Sequence, residues 1–520
     1  MRSEKISFED ADCFSPLFLD YINKKDPLKP FYGEYPSPKN FKKLVEERRF
    51  SEENRMKLTQ VLLEQYQHLR VTDAVDFNIH SLENTKTFTV TTGHQLNIFT
   101  GPLYFIYKIV SVINTCKKLK QLYPEYHFVP VYWMATEDHD LAEINHFNFF
   151  GKRLTWETNQ TGPVGRFKPH SIIDVMHQLG NEDVSLFEKA YLDYGTLADS
   201  ARHYVNKLFG DQGLVVIDAD NPTLKELFAP TIEAELLDNH SHRLTSESSS
   251  RLNELGYAGQ AFSREINFFY METGLRERIV KDGDGFKVRN TELRFSRDEM
   301  VELIHESPEK FSPNVILRPL YQETILPNLA YIGGPAEVAY WLQLKGVFDH
   351  YRVDFPALMP RNFAMLITRP VQRKIEKVQF KGKDLFQSSD KLKEKYLNRN
   401  SDANYDLEEE RSQIAELFDK IKAKAVAVDG SLDGFVGAQS VSSFKALDNI
   451  TRRLKKADED RNEIAMSQID AIRERLFPEG NLQERHDNFL NFYLNDPGFI
   501  KMLLRKFDPF KFEFQIIRDL

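Results

Sequence analysis

Cysteine is almost absent: Cys13 and Cys116 are the two in 520 residues. That excludes a disulfide framework and a zinc site built from cysteines. Long apolar runs are missing as well. No stretch approaches the roughly 20 residues that a membrane-spanning helix needs. The opening residues, MRSEKISFEDADCF, are charged where a secretory leader is apolar. These absences point to a cytosolic chain with no membrane partner. Positive charge is in deficit too, with 69 Lys and Arg against 78 Asp and Glu and a net charge of -9. An acidic surface repels phosphate backbones, so non-specific nucleic-acid binding is not expected. Several signature loops are also lacking. The chain has no G-x-x-x-x-G-K-[ST], no G-x-G-x-x-G and no G-x-S-x-G, nor a KMSKS-type lysine loop. Their absence removes the P-loop NTPase, the dinucleotide fingerprint and the hydrolase elbow as direct readings.

What is present is an ordinary globular balance of 41% hydrophobic and 28% charged residues, with phenylalanine unusually common at 40. Such a chain buries large cores in several structural units. Leu44, Met56, Leu58, Val61, Leu62 and Tyr66 recur at helical spacing in the polar first 85 residues. Thr87–Thr92 is rich in β-branched residues and reads as a strand. Gly93-His94 follows, and the Gly-Pro at 101–102 opens a long apolar helix to Leu122. His127–Ala135 is the next strand. Strand, loop, helix and strand in that order make a βαβ unit. Leu214–Asp218 reads as a buried parallel strand ending in an acid. Residues 279–295 read as a hairpin around Asp282-Gly283-Asp284-Gly285. Ala330-Tyr331-Ile332, the Gly333-Gly334-Pro335 turn and a helix over 336–344 repeat the strand–turn–helix pattern.

Beyond residue 371 the text becomes charged and helical. Gly430, Gly434 and Gly437 divide it into helices at roughly 405–428 and 439–477, an antiparallel hairpin. Leu447, Ile450, Leu454, Ala457, Ile464 and Ala471 mark an imperfect heptad seam. The aromatic tail, 481–520, must pack against other elements. The expected fold is α/β: a Rossmann-like parallel-sheet core over 1–150 and 301–370, inserted connecting regions over 151–300, a coiled-coil arm over 371–478, and a closing segment over 479–520.

Five clusters carry candidate chemistry. Thr91-Thr92-Gly93-His94 fits the T/H-x-G-H pattern of nucleotidylyl transferases and class I synthetases. There Gly93 lets the backbone approach a phosphate and His94 donates to it. A strand-ending glycine with a capping histidine is the plainer reading of the same residues. Gln95, Asn97, Thr100, Gly101, Tyr104, Tyr107 and Lys108 follow. Tyr104 and Lys108 share a helix face, and Lys108 faces either phosphate or solvent. Glu137, Asp138, His139 and Asp140 come directly after a buried strand, where α/β sheets bind ligands. Such acids suit a substrate amine, an arginine or Mg²⁺, or else simply the solvated start of a helix. His139, Glu143 and His146 have helical spacing. Gly333 and Gly334 permit close backbone approach, and Glu337 in the next turn suits an amine or ribose hydroxyls. Asn314, Arg318 and Gln322 offer a carboxylate clamp or a structural ion pair.

Four segments in this order, TGHQLNIFTGPLYFIYKI from Thr92, VYWMATEDHDLAEINH from Val131, LRPLYQETILPNLAYIGGPAEVAYWLQLK from Leu317 and NLQERHDNFLNFYL from Asn481, resemble the BshC family, the cysteine-adding family of bacillithiol synthesis. The resemblance spans nearly the whole chain. It implies a Rossmann-like core with inserted connecting peptides and a coiled-coil arm. It also implies a ligase that joins L-cysteine to the amine of glucosaminyl malate. Amide formation in water needs activation, so ATP, with or without Mg²⁺, is the expected cofactor. On this reading Thr92, Gly93, Gln95, Thr100, Gly101, Tyr104 and Lys108 serve the phosphates. Asp138, His139, Asp140 and His94 are the catalytic candidates. Glu137, Gly333, Gly334, Glu337 and Arg318 face the same crevice, and no protein-held metal is expected. A homodimer through the arm is expected. A nucleotidylyl transferase and a non-catalytic nucleotide-binding scaffold are the alternatives.

Overall fold

A computed structural model describes residues 2–180, 182–401 and 407–520. By internal contacts the chain divides into two units. One comprises Lys5–Met365 and Gln483–Gln515, the other Met1–Glu4, Leu366–Leu482 and Ile516–Leu520.

The first unit is built on a parallel sheet. Strand β1 (Thr87–His94) leads through a loop to helix α1 (Tyr104–Leu122), which returns to β2 (His127–Met134) and later to β3 (Val215–Asp218). An inserted antiparallel sheet follows, made of β4 (Phe268–Glu272), β5 (Leu275–Asp282), β6 (Gly285–Val288), β7 (Arg294–Phe295) and β8 (Phe311–Pro313). Helix α2 (Arg318–Ile325), β9 (Asn328–Gly333), helix α3 (Pro335–Trp341) and β10 (Ala357–Pro360) return to the core. The core order is β10-β9-β1-β2-β3, and every neighbouring pair is parallel. All residues of β1 are buried, as expected of a strand covered on both faces. On one face Val112, Cys116 and Leu119 of α1 pack with Phe88, Val90, Phe128, Ile332 and Met359 of the sheet. Each such side chain contributes about 1.5–3 kcal/mol by leaving water.

Because the strands are parallel, their carboxyl ends share one edge. The register pairs Gly93 with Trp133, Met134 with Asp218, and Gly333 with Pro360. Whatever follows β1, β2, β9 and β10 in sequence is therefore brought to that edge.

Two local expectations need correction. The strand expected over Thr87–Thr92 runs on through Gly93 and His94, paired with Trp133 and Met134, which is the strand-ending reading of that glycine. Helix α1 begins only at Tyr104, so a loop and not a tight turn connects it to β1. The ladder continues because β2 keeps offering partners through Met134. Likewise His139, Glu143 and His146 do not share a helix. The helix there spans only Leu141–Ile144, and His146 opens a strand pairing with Thr155.

The loop between β1 and α1 is a buried left-handed turn. Phe99, Thr100 and Gly101 all have positive φ. The Asn488 side-chain amide donates to the carbonyls of Phe99 (2.8 Å) and Gly101 (2.6 Å), and Phe99 N–H donates to the Tyr191 hydroxyl at 2.8 Å. The late segment around Asn488 thus satisfies backbone groups of an early loop.

In the second unit, α4 (Glu408–Val428) and α5 (Leu432–Arg461) form a hairpin, followed by α6 (Glu463–Leu476). Arg411 pairs with Asp448 at 2.7 Å and Lys422 with Asp433 at 3.0 Å, as antiparallel neighbours should. Gly434 and Gly437 do not interrupt α5, contrary to expectation. A mid-helix glycine costs only about 1 kcal/mol, and the space where each Cβ would stand is open. The turn is made instead where Asp429 accepts the Ser431 N–H at 2.8 Å. The expected single helix to 477 is broken at Asn462.

At Gly101 φ is 64° and ψ is -137°, and an added Cβ would lie 2.5 Å from Asn97 Cβ. Gly101→Ala should lower stability by about 2–4 kcal/mol. Thermal denaturation reads this directly; a melting temperature within 1 °C of the parent, on the order of a few tenths of a kcal/mol, would refute it.

Candidate functional site

Two cavities meet at the carboxyl edge of the sheet. The smaller, about 260 Å³, is walled by Gly93, His94, Gln95, Tyr104, Lys108, Gly334, Glu337, Arg318, Arg361 and Arg485. The larger, about 680 Å³, is walled by Glu137, Asp138, His139, Asn267, Arg276, Asn314 and others. Trp133, Ala135, Arg318, Ala336, Glu337 and Tyr340 line both. The two are one crevice with a waist at Arg318 and Glu337.

The waist is tied together by Lys108. Its ammonium, almost fully buried, donates to the Gly93 carbonyl at 2.8 Å and pairs with Glu337 Oε2 at 2.6 Å. Glu337 also accepts from Gly334 N–H (2.8 Å) and the Tyr331 hydroxyl (2.6 Å). Burial pushes the Glu337 carboxyl up, but Lys108 and those donors outweigh it and hold the carboxyl below its ordinary range. Burial pulls the Lys108 ammonium down, against the pull of Glu337. Both carboxylate oxygens of Glu337 are thus occupied by the chain's own groups. Through these contacts Glu337 holds the end of β1 against α3.

Arg318 stacks near Trp133 and Tyr331, with its Cζ 5.8 and 5.5 Å from the ring centroids. It donates to Gln322 Oε1 at 2.9 Å and Tyr340 Oη at 3.4 Å. Arg361 is buried against Glu484, while Arg485 is exposed, 5.7 Å from the Tyr104 ring centroid. Lys108, Arg318, Arg361 and Arg485 around one small cavity suit a multiply charged anion. His94 is buried between Tyr104 and Phe105, and its Nε2 has no hydrogen-bond partner. Burial, with Lys108 and Arg361 close by, keeps its imidazole well below the usual histidine range, hence neutral.

In the larger cavity Asp138 accepts from Gln95 Nε2 at 2.9 Å and from the His139 N–H at 2.8 Å. Burial raises its carboxyl, but Gln95 and Arg276 outweigh that and leave it ionised below its ordinary range. Glu137 pairs with the fully buried Lys225 at 2.9 Å. Nearby, burial and Asp220 push the Asp218 carboxyl up to about 7.

Other candidates lie away from either wall. The Thr92 hydroxyl donates to the Ile332 carbonyl at 2.7 Å and stitches β1 to β9. Thr100 and Gly101 belong to the left-handed turn, Gly333 completes β9, and Asp140 is exposed at the N-cap of the short helix. Arg276, Arg361 and Arg485 were not legible as site residues. Arg361 directly follows β10, so the strand-end rule would have found it. Arg276 sits mid-strand in an antiparallel insertion and carries no local signal.

Residues 1–362 match the family model for the N-terminal Rossmann-like domain of bacillithiol biosynthesis BshC, and residues 364–518 match that for its C-terminal coiled-coil domain. The chain belongs to the BshC family. A relative from Flavobacterium psychrophilum, named "Putative cysteine ligase BshC", is 43% identical, with 100% of each chain covered. One of the same name from Flavobacterium johnsoniae is 42% identical over 99% of this chain and 100% of its own. One from Chlorobaculum tepidum is 28% identical over 98% and 94%. The Rossmann-like core and coiled-coil region expected from the sequence are therefore those of the BshC family.

Within this BshC chain the approach to Gly93 is tight. A Cβ there would stand 3.2 Å from the Tyr331 hydroxyl and 3.7 Å from Arg318 Nη1. Gly93→Val should abolish anion binding in the smaller cavity, whereas His94→Gln should keep more than about a tenth of it, since a neutral ring is replaced by a neutral amide. Nucleotide titration of both folded variants measures this. Equal loss in the two would make the His94 ring a direct ligand.

Proposed function

We propose that this chain is a cysteine ligase, using ATP to join the carboxyl of L-cysteine to the amine of glucosaminyl malate in the cytosol. The carrying observation is the waisted crevice: a cavity ringed by Lys108, Arg318, Arg361 and Arg485 opens into a larger one holding the ionised Asp138. The name shared by the full-length relatives gives the reaction class. ATP supplies the leaving group that an amide bond formed in water requires. Arg318 and Arg485 fit its phosphates, with Lys108 and Arg361 behind them held by Glu337 and Glu484, and this charge is set in place before the phosphates arrive, so it costs no reorganisation. Arg318, which lines both cavities, holds the two substrates' reacting ends to one line, which turns a bimolecular encounter into a local one. Asp138 is the carboxylate for an ammonium on the acceptor side. Glu137, neutralised by Lys225, is held in reserve as wall.

Purified full-length chain given ATP, L-cysteine and glucosaminyl malate should form the amide, detected by mass spectrometry, and omission of any one should stop it. Arg485→Met should raise KM for ATP by about tenfold, the strength of one charge-assisted contact, with unchanged melting temperature. Pyrophosphate release without cysteine consumption would instead favour a nucleotidylyl transferase, and nucleotide binding with no turnover a scaffold.

The arm supports a second part of this reading, a homodimer. Helix α4 buries none of its residues, while Leu417, Ile421, Phe435, Val441, Ile450, Leu454 and Ile464 stand exposed. Large apolar side chains exposed along these helices call for a partner. Light scattering of the full chain should give twice 60.7 kDa. A monomer at micromolar concentration would refute the pairing.

A further inference from the structure

Arg276 comes from β5 of the inserted sheet, yet its guanidinium reaches the core's larger cavity. It lies over the Phe269 ring, 4.0 Å from its centroid. Nε donates to Ser312 Oγ at 3.0 Å and Nη2 to the Pro313 carbonyl at 3.4 Å. Nη1 donates to Nδ1 of His139 at 2.6 Å. The residue is 9% exposed, so ring, hydroxyl and carbonyl leave it one orientation.

A guanidinium has N–H donors, no acceptor, and does not deprotonate in proteins. A ring nitrogen that receives its N–H must present a lone pair. Nδ1 of His139 is then bare, and a neutral imidazole carries its proton on Nε2. Asp138 does not compete, since its Oδ1 is 3.8 Å from Nδ1 and its oxygens are taken by Gln95 and the His139 backbone N–H. Among the described residues no protein group hydrogen-bonds Nε2, and His139 stands on the cavity wall.

We propose that Arg276 is a positioning residue that locks His139 in the Nε2–H tautomer, so that His139 donates a hydrogen bond to a substrate oxygen rather than acting as general base. The substrate oxygen belongs to a carboxylate or to the carbonyl being attacked, and that half rests on the ligase reading above. The charged groups facing the ring are Arg276 and Glu277 from β5 and Asp138 and Asp140 from its own loop, with Phe269 of β4 against it. Burial first, then Arg276, holds the imidazole below its ordinary range, and the three acids oppose this less strongly. Protonation of Nδ1 would place two cations in contact, so His139 stays neutral through the pH range in which the acceptor amine is reactive.

Nitrogen-15 NMR of histidine-labelled full-length protein tests the tautomer without any assay of ligation. The His139 signal is identified by its loss in His139→Gln. At pH 7 it should show Nδ1 unprotonated and Nε2 protonated; a protonated Nδ1 overturns the proposal even if the protein proves to be a cysteine ligase. In Arg276→Met the acid limb of the ring's titration should rise toward about 6.5, the value of an unperturbed histidine. An unmoved limb in the folded variant overturns the role of Arg276. Should that variant not fold, the wild-type spectrum still decides. For the donor role, His139→Ala should lose roughly a hundredfold in kcat, as loss of one oriented donor does. His139→Gln, which keeps an N–H, should recover activity to within about tenfold of the parent. Gln as inactive as Ala would mean a base. A tautomer as expected with no amide formed by the parent would sink the ligase reading and leave the lock standing.

Discussion

The Lys108–Glu337 ion pair is the constraint around which the crevice is organised. It joins a helix that follows the first core strand to a helix that follows the fourth, and through the Gly93 carbonyl and the Gly334 N–H it also fixes the two strand ends. Losing one partner of such a buried pair leaves an uncompensated charge, at a cost of about 3–5 kcal/mol. The pair therefore does two things at once. It sets the width of the waist and, with Arg361 likewise buried against Glu484, it leaves Arg318 and Arg485 as the cations still available to a ligand. Lys108 adds to the positive field without being free itself.

Around that waist the crevice is polarised. The smaller cavity carries the excess of arginine and a histidine kept neutral by burial. The larger has ionised Asp138, a neutralised Glu137 and a histidine whose tautomer is set by Arg276. The inserted antiparallel sheet contributes Arg276 and Phe269 to this wall, so the insertion is part of the site and not only a decoration of the core. In the same way, Asn488 from the late segment closes the left-handed turn after β1. Residues hundreds of positions apart thus share hydrogen bonds, because the buried Phe99 and Gly101 carbonyls take their donor from Asn488.

Much of this was legible in the amino-acid text, and the reason is local. Thr87–Thr92, His127–Ala135 and Ala330–Ile332 announce themselves through β-branched and aromatic runs, and a parallel sheet sends whatever follows each strand to one edge. Hence Gly93, Gln95, Asp138, His139 and Glu337 could be named together as one crevice, and the family resemblance rested on those same segments. The errors were local as well. The strand was bounded at Thr92, but β2 supplied ladder partners to His94. Gly434 and Gly437 read as helix breaks, yet glycine costs a helix too little to stop it when the neighbours are good formers.

Which charges are spent and which are free was decided only in three dimensions. Sequence shows Glu337 as an acid in a helix's first turn, but not that Lys108, Gly334 and Tyr331 occupy both its oxygens. Nor does it show that Thr92 is turned to a neighbouring strand, or that Arg276 on an antiparallel insertion reaches His139 across 137 positions. Chain order determined the strands, their common edge and the cluster of candidates. Long-range packing decided their charge states and partners, because a hydrogen bond is set by distance in space, and distance along the chain says nothing about it once the chain is folded.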